Sequence, residues 1–258
     1  NLGTIGILVD DYPYEAILED LVFFQVNNPI VVMGASYNTE IRHSAMNNNP
    51  TMKIGVRVYQ GTGATVPNAV KILHNAIEGF ENGVKVESGY GIQVCDNYFE
   101  SCSYMVYLAS GADFAIVNNN HFSVGNAEVG IYSLAGSVIA MGNSFLIGSD
   151  GASTTAKGIQ LGTNLGRLSI VGGSAYLGQD ATFFYSDSAI NAMATIEGVV
   201  ANIHATGAKL VNAKLYYGTV HGCIVLHHGT GTTSVTIVSS GVSSTFSANH
   251  FYYNPLIS

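Results

Sequence analysis

Glu78 and Glu100 are the acidic residues whose type and spacing best suit catalytic chemistry. They stand 22 residues apart, and each follows an asparagine, Asn75 or Asn97, by three positions. If the chain repeats with that period, the two carboxyl groups lie one repeat apart, at about 5 Å. Such proximity disfavours double ionisation and raises the pKa of one group, which prepares an acid beside a base. That separation suits a retaining glycoside hydrolase; the alternative is a pair of solvated surface acids.

A second set of candidate catalytic residues precedes the same asparagines. His74 and Asp96 stand directly before them and could supply a general base and acid. Lys71 and Arg42 are the nearest cations, and a lyase would need one to neutralise the carboxylate of a uronic acid. We therefore count both as candidate substrate-binding residues. The alternative is that the His and Asp residues are polar turn residues bonded to one another or to water.

Tyrosine is the abundant aromatic residue that could bind a sugar. The chain has 15 tyrosines and no tryptophan. A tyrosine ring can stack on a pyranose face while its hydroxyl group bonds outward. Tyr98 and Tyr107 are expected to point outward near Glu100 and to bind substrate, although β-propensity alone also favours tyrosine on strands.

A repeat of about 23 residues must position these side chains. An apolar pair two residues apart is followed by two spacer residues, a marker, and another apolar residue two positions later. The markers are Leu21, Ser44, Asn75, Asn97, Asn120, Asn143, Gly173, Val199, Gly218 and Ser240. A fixed period of this length is the signature of a solenoid.

Each repeat is predicted to contain three short strands, because its inward residues are two positions apart. In the regular repeats the third strand has apolar residues nine and eleven positions after the marker. These pairs are Ile30/Val32, Val84/Val86, Val106/Leu108 and Val129/Ile131. Successive coils would stack at about 4.8 Å, the distance between paired strands.

Four consecutive markers are asparagines, Asn75, Asn97, Asn120 and Asn143. Asparagine tolerates left-handed turns, and stacked amides can bond to one another and to the turn backbone. On this pattern, residues 14–245 resemble the right-handed parallel β-helix (pectate-lyase-like) superfamily, which includes pectate lyases, polygalacturonases and phage tailspikes. The resemblance implies an all-β solenoid of about ten coils, three short strands per coil, with an asparagine ladder. We predict one β-helix domain over 1–245, and a cap or a linker to a further domain over 246–258.

The resemblance also implies a function, a polysaccharide-degrading enzyme most like a phage tailspike or capsular polysaccharide depolymerase. It would be a hydrolase or a lyase acting on a bacterial surface or other acidic polysaccharide, extracellular or associated with a virion. The other sequence elements typical of polygalacturonases, and the calcium-binding acids of pectate lyases, are not recognisable. No metal or cofactor is therefore expected. The alternative is a non-catalytic solenoid, a fibre shaft or an adhesive domain that binds glycan.

Composition and surface pattern indicate the partners. The net charge of −8 disfavours nucleic acid and anionic membranes. The sequence contains no apolar run long enough to predict membrane insertion.

An apolar stripe at outward positions predicts a subunit contact. Its members are Ile116, Ile139, Met141 and Leu146. Together with the resemblance to tailspikes, this stripe predicts a homotrimer. The start at Asn1 suggests a mature or excised fragment of a longer protein.

Overall fold

The computed structural model describes residues 4–11, 14–148, 155–162, 167–186, 193–203, 205–228 and 234–253. The first strands are β1 (Ile5–Asp10), β2 (Ala16–Glu19), β3 (Val22–Phe24), β4 (Asn28–Met33), β5 (Thr39–Arg42), β6 (Ala45–Tyr59), β7 (Lys71–Leu73), β8 (Ala76–Tyr90), β9 (Gln93–Cys95), β10 (Tyr98–Glu100), β11 (Tyr104–Asp113), β12 (Ala115–Asn118) and β13 (His121–Val124). The remaining strands are β14 (Val129–Ser133), β15 (Ser137–Met141), β16 (Ser144–Ile147), β17 (Lys157–Leu161), β18 (Arg167–Val171), β19 (Ser174–Leu177), β20 (Thr182–Ser186), β21 (Met193–Glu197), β22 (Val200–Ile203), β23 (Lys209–His221), β24 (Ile224–His227), β25 (Ser234–Ser247) and β26 (His250–Tyr253).

All of these strands pair in parallel, and they form three columns that run the length of a solenoid. The first column stacks β2, β5, β7, β9, β12, β15, β18 and β21, then the last parts of β23 and β25. The second stacks β3, the starts of β6 and β8, then β10, β13, β16, β19, β22, β24 and β26. The third stacks β1, β4, the later parts of β6 and β8, then β11, β14, β17 and β20, and the starts of β23 and β25. The predicted β-solenoid with three strands per coil is confirmed.

The asparagine ladder is present and buried. The side-chain oxygen of Asn97 accepts two hydrogen bonds from Asn75. One comes from the Asn75 backbone N–H, at 2.9 Å, and the other from the Asn75 side-chain nitrogen, at 3.0 Å. The Asn97 side-chain nitrogen in turn donates to the side-chain oxygen of Asn120 and to the carbonyl of Ile72. Asn120 and Asn143 repeat the pattern one coil further on. Each rung therefore satisfies polar groups of the turn that would otherwise be buried without partners.

The position just before each rung has a left-handed backbone in every coil. Its φ lies between 51° and 66° for Asp20, His43, His74, Asp96, Asn119, Gly142, Gly172, Gly198, Gly222 and Ala248. Glycine adopts this conformation freely, and asparagine and aspartate tolerate it. Histidine is also enriched in this region, so the turn accounts for the Asp, His, Asn and Gly residues at this position; Ala248 is the exception.

The last two markers derived from the sequence were wrong. Strand pairing aligns Val199 with Cys223, and Cys223 with Asn249, instead of Gly218 and Ser240. Asn249 makes the ladder contacts, because its side-chain oxygen accepts the backbone N–H of Cys223 and its amide donates to Val220. The long strands β23 and β25 continue through the turn between the third and first columns, which changes the spacing on which the sequence register depended.

The third strand of the fifth coil is also displaced from its expected register. Val106 pairs with Ile131, whereas the sequence spacing aligned it with Val129. The turn before β14 is two residues longer than in the preceding coil. A period counted between asparagines does not reveal where within a coil the extra residues lie.

Stacked apolar side chains fill the inside of the solenoid. Phe99, Phe122 and Phe145 stack on one another with ring centroids 5.2 and 4.8 Å apart. Cys102 and Cys223 are buried free thiols, and Cys95 is half-buried. The described residues contain no helix that is long and apolar enough to cross a membrane.

Strand β26 extends the second column beyond residue 245, where the sequence analysis expected a cap or linker. Residues 250–253 thus belong to the solenoid as its last described coil. The remainder of that expectation, residues 254–258, lies outside the described residues.

The ladder provides the first testable prediction. Asn97→Ala should lower the free energy of unfolding by on the order of 3 kcal/mol, because it leaves the buried N–H of Asn75 and the carbonyl of Ile72 without partners. Urea unfolding followed by circular dichroism measures the change. Asn202→Ala, at an outward position of β22, is the matched control and should change stability by less than about 0.5 kcal/mol. Equal losses in both variants would contradict a structural role for the ladder.

Candidate functional site

Glu78 and Glu100 are neighbours across one rung of the second column, as the sequence predicted. Strand pairing joins them directly, and both are half-buried. The side-chain amide of Asn47 donates a 2.8 Å hydrogen bond to Glu78, and the Tyr98 hydroxyl donates a 2.7 Å hydrogen bond to Glu100. Both carboxylates are therefore oriented by neighbours on the outer face of the same column.

Glu128 is a third carboxylate beside this pair, and sequence reasoning missed it. It lies in the turn before β14, one coil beyond Glu100. Burial raises the pKa of Glu128, a hydrogen bond from the Gly125 N–H lowers it, and the charge of Glu100 raises it again. The net effect is a raised pKa. We call Glu78, Glu100 and Glu128 the carboxylate cluster; three successive coils each contribute one member.

The longer turn in the fifth coil explains why Glu128 was missed. This turn contains Gly125, whose N–H donates a 2.6 Å hydrogen bond to the Glu128 carboxylate. The sequence analysis assigned only Val129 and Ile131 to the third strand of this coil and gave Glu128 no role. The Gly-Asn-Ala-Glu segment before Val129 was the available signal, since glycine and asparagine mark a turn.

Tyr98 connects the carboxylate cluster to a histidine. Its ring stacks on His121, with centroids 5.6 Å apart and planes inclined by 6°. The hydrogen bond to Glu100, with smaller contributions from burial and from the charges of Glu100 and Glu78, raises the pKa of Tyr98 to about 12. The hydroxyl thus remains a hydrogen-bond donor to Glu100 over any ordinary working pH. Tyr98 was expected to bind substrate, and the structure gives it an orienting contact.

His74 and Asp96 lie at the other end of these short strands. Both are exposed and occupy the left-handed turn position before the rung. Glu78 follows His74 by four positions, which in an extended strand corresponds to up to about 13 Å. The ring of His74 stacks on that of His43 at 5.5 Å. The structure therefore brings Glu78 and Glu100 together, but not these two residues with them.

Arg42 and Lys71 face outward from the first column, where they pair with acids of their own. Arg42 contacts Glu19 at 2.9 Å and Glu40 at 2.6 Å, and Lys71 lies 3.8 Å from Glu40. In the described part of the chain, these contacts engage both cations away from the carboxylate cluster. A lyase mechanism that relies on either cation is therefore not supported by this arrangement.

A possible metal-ligand group lies on the same outer face. Glu19, Asp20 and His43 offer one ligand atom each within 4.8 Å of one another, and all three are exposed. The Arg42 guanidinium already donates to both carboxylate oxygens of Glu19. We assign no metal ion to this group, because the cation nearest to it is the arginine.

Tyr107 belongs to a cluster of three tyrosines on the third column. The rings of Tyr104, Tyr107 and Tyr132 lie 5.0 to 5.5 Å from one another. The ammonium of Lys85 lies 5.5 Å from the Tyr107 ring centroid. Tyr104 pairs with Val129, the residue after Glu128, so this tyrosine cluster begins beside the carboxylate cluster. It could form an adjoining aromatic surface for a sugar ring.

Comparison with known proteins agrees with this architecture. The family described as "right handed beta helix region" matches residues 1–146. The chain therefore belongs to the right-handed β-helix family. No curated protein sequence matches the chain.

Two solved structures illustrate the likeness in fold. The first is the A-module of the mannuronan C-5 epimerase AlgE4 from Azotobacter vinelandii, with 11% identity over 89% of this chain and 76% of that one, and a TM-score of 0.48. The second is a mutant tailspike protein of E. coli bacteriophage HK620 in complex with a pentasaccharide, with 13% identity over 97% of this chain and a TM-score of 0.46. This chain spans 57% of the tailspike chain. At these identities the likeness concerns the fold.

The raised pKa of Glu128 predicts a pH-dependent effect on stability. A carboxyl group whose pKa is higher in the folded than in the unfolded state stabilises the fold below the unfolded value of about 4.3. That contribution is lost as the pH rises through the folded value. Glu128→Gln removes this dependence, so its melting temperature should improve relative to wild type between pH 4 and pH 8.

Thermal unfolding of both proteins across this pH range tests the expectation. Glu81→Gln is the matched control, because Glu81 is exposed and lies on β8, close to Glu78. Its difference from wild type should stay constant with pH. A constant difference for Glu128→Gln as well would show that Glu128 is not held in an environment that disfavours its charge.

Proposed function

We propose that this β-helix is a polysaccharide-degrading enzyme that hydrolyses glycosidic bonds at the carboxylate cluster. The observation that carries the proposal is the direct strand pairing of Glu78 with Glu100, together with Glu128 one coil further on, whose pKa the charge of Glu100 helps to raise. Glycoside hydrolysis needs one carboxyl group that holds a proton and one carboxylate without it. In this proposal Glu128, whose pKa is raised, takes the first role, and a neighbouring glutamate takes the second.

Glu128 is the proton donor in this proposal. Burial raises the pKa of Glu128 and so favours the protonated form, which a general acid must have to protonate the leaving oxygen. Glu100 is the partner that acts as nucleophile or activates water, and the hydrogen bond from the Tyr98 hydroxyl holds it in place. Glu78 adds negative charge that stabilises the oxocarbenium-like transition state.

Hydrolysis is favoured over elimination by the positions of the basic residues. A lyase requires a cation that neutralises the uronic carboxylate next to the abstracted proton. Arg42 and Lys71 pair with Glu19 and Glu40 on the first column, and Lys85 contacts Glu87 on the third column at 3.2 Å. The ion pairs of these three cations within the described ranges therefore lie away from the carboxylate cluster. We therefore propose that water, and not elimination, cleaves the glycosidic bond.

The tyrosine cluster is the proposed platform for the polysaccharide beside the cleavage point. Tyr104, Tyr107 and Tyr132 are half-buried, so part of each ring is open to solvent. Bacterial surface polysaccharides and other acidic polysaccharides are the proposed substrates, and an extracellular or virion-associated location follows from that choice. Binding along the third column would direct one sugar toward Glu128.

A second candidate function is glycan binding without cleavage, as in a fibre or an adhesive domain. The observation that favours it is that Glu78 and Glu100 both already accept hydrogen bonds from side chains, those of Asn47 and Tyr98. Carboxylates held in this way can also serve as acceptors for sugar hydroxyl groups. The same tyrosine cluster would then form the binding surface.

Release of reducing ends from a panel of bacterial capsular and uronic-acid polysaccharides tests the enzymatic proposal. Glu100→Gln and Glu128→Gln should each lower kcat by about 10²-fold or more, and Glu78→Gln by about 10-fold. Glu81→Gln should retain wild-type activity. Ultraviolet absorbance should remain flat, because hydrolysis leaves no unsaturated sugar.

Full activity of both Glu100→Gln and Glu128→Gln would contradict the assignment of the site. Products that absorb in the ultraviolet would indicate a lyase. Tight binding of a polysaccharide by the wild-type chain with no release of reducing ends would support the non-catalytic alternative.

A further inference from the structure

A groove of about 520 Å³ lies on the outer face of the first column, away from the carboxylate cluster. It runs from the coil of β12 to that of β23. Two rows of outward side chains form its floor. One row is Phe114, Ser137, Arg167, Met193 and Tyr217, and the other is Ile116, Ile139, Ser169, Thr195 and Thr219.

Arg167 is the one charged residue among those that line the groove. Its side chain is exposed at the start of β18, and its guanidinium forms no hydrogen bond or ion pair within the described ranges. Arg42 and Arg57, by contrast, each pair with a glutamate. An arginine without a carboxylate partner, in a chain of net charge −8, provides a local site for an anion.

Two aromatic residues flank Arg167 in its own row. Phe114 lies about two coils to one side and Tyr217 two coils to the other, each about 10 Å away along the stack. Their exposed fractions are 52% and 39%. Exposed rings at this spacing offer flat apolar faces on both sides of the cationic centre, and such faces stack on sugar rings.

A line of hydroxyl groups runs beside the arginine in the second row. Ser169, Thr195 and Thr219 lie on successive coils, so their hydroxyl groups recur at about the 4.8 Å rung distance. Hydroxyl groups both donate and accept hydrogen bonds, which matches the hydroxyl groups of a saccharide. Ile116 and Ile139 make the other end of this row apolar.

We propose that this groove binds a carboxylated oligosaccharide, with Arg167 on the carboxylate of a uronic or sialic acid. The rings of Phe114 and Tyr217 stack on the neighbouring sugars. The hydroxyl groups of Ser169, Thr195 and Thr219 form hydrogen bonds with the hydroxyl groups of those sugars. The site is distinct from the carboxylate cluster, which lies on the second column and in the turn that follows it. Binding here requires no cleavage, so the proposal does not rest on the enzymatic one.

Isothermal titration calorimetry on the Glu100→Gln variant of the full chain tests this proposal without turnover. The probes are oligomers of galacturonate, mannuronate and sialic acid. The fully methyl-esterified galacturonate oligomer is the neutral control. At least one acidic probe should bind, and its methyl ester, where tested, should bind about 10-fold more weakly. Adding Arg167→Gln should weaken acidic binding by about 10-fold or more.

Further variants separate the groove from general electrostatics. Tyr217→Ala should weaken binding about 5-fold through loss of ring stacking. Lys53→Gln removes one exposed positive charge elsewhere on the solenoid and should change affinity less than about 2-fold. Unfolding curves of Arg167→Gln should match those of its background, because the side chain is exposed and forms no hydrogen bond or ion pair with the described residues.

Three results would overturn the proposal. The first is that no acidic probe binds at millimolar concentration, and the second is binding that Arg167→Gln leaves unchanged. The third is that decanoate binds through Arg167 while the saccharides do not, which would assign the groove to an aliphatic carboxylate. If no probe binds and Phe114→Ser converts a trimer into monomers in analytical ultracentrifugation, the groove is instead the subunit contact expected from the apolar stripe.

Discussion

The stacking of one coil on the next through backbone hydrogen bonds constrains everything else in this protein. Because every described strand pairs in parallel with its counterpart one coil away, residues about 23 positions apart become neighbours at the rung distance. That stacking requires each turn to repeat its path, and the left-handed residue before the rung provides the repeated bend. The buried amides of Asn75, Asn97, Asn120 and Asn143 then satisfy the polar groups of that bend.

The same constraint explains which polar residues can act together. On the outer face of a strand, a residue meets its counterparts in the coils on either side, and this is how Glu78 meets Glu100. A residue a few positions along the same strand is instead separated by several rises of the extended chain. His74 and Asp96 share coils with the glutamates, yet they lie at a turn whose backbone conformation already accounts for their residue types.

The outer faces of the columns differ in how their charges are used. At its start, the first column carries an ion-pair network of Glu19, Glu40, Arg42 and Lys71, in which the charges compensate one another. Further along, the outer face of the same column carries apolar and hydroxyl side chains around Arg167, which forms no ion pair with the described residues. The second column carries Glu78 and Glu100, and the turn that follows it carries Glu128, whose pKa is raised.

The sequence by itself determined the solenoid, its three strands per coil, the asparagine ladder and the adjacency of Glu78 and Glu100. These features depend on the period of the apolar residues and on the hydrogen-bonding capacity of asparagine, both of which can be read from the amino-acid sequence. Only the tertiary structure decided the rungs at Cys223 and Asn249, the displaced strand of the fifth coil, the position of Glu128, and the pairing of Arg42 and Lys71 with acids. The physical reason is that a period counts residues per coil, whereas the lengths of individual turns and the directions of side chains depend on packing between coils.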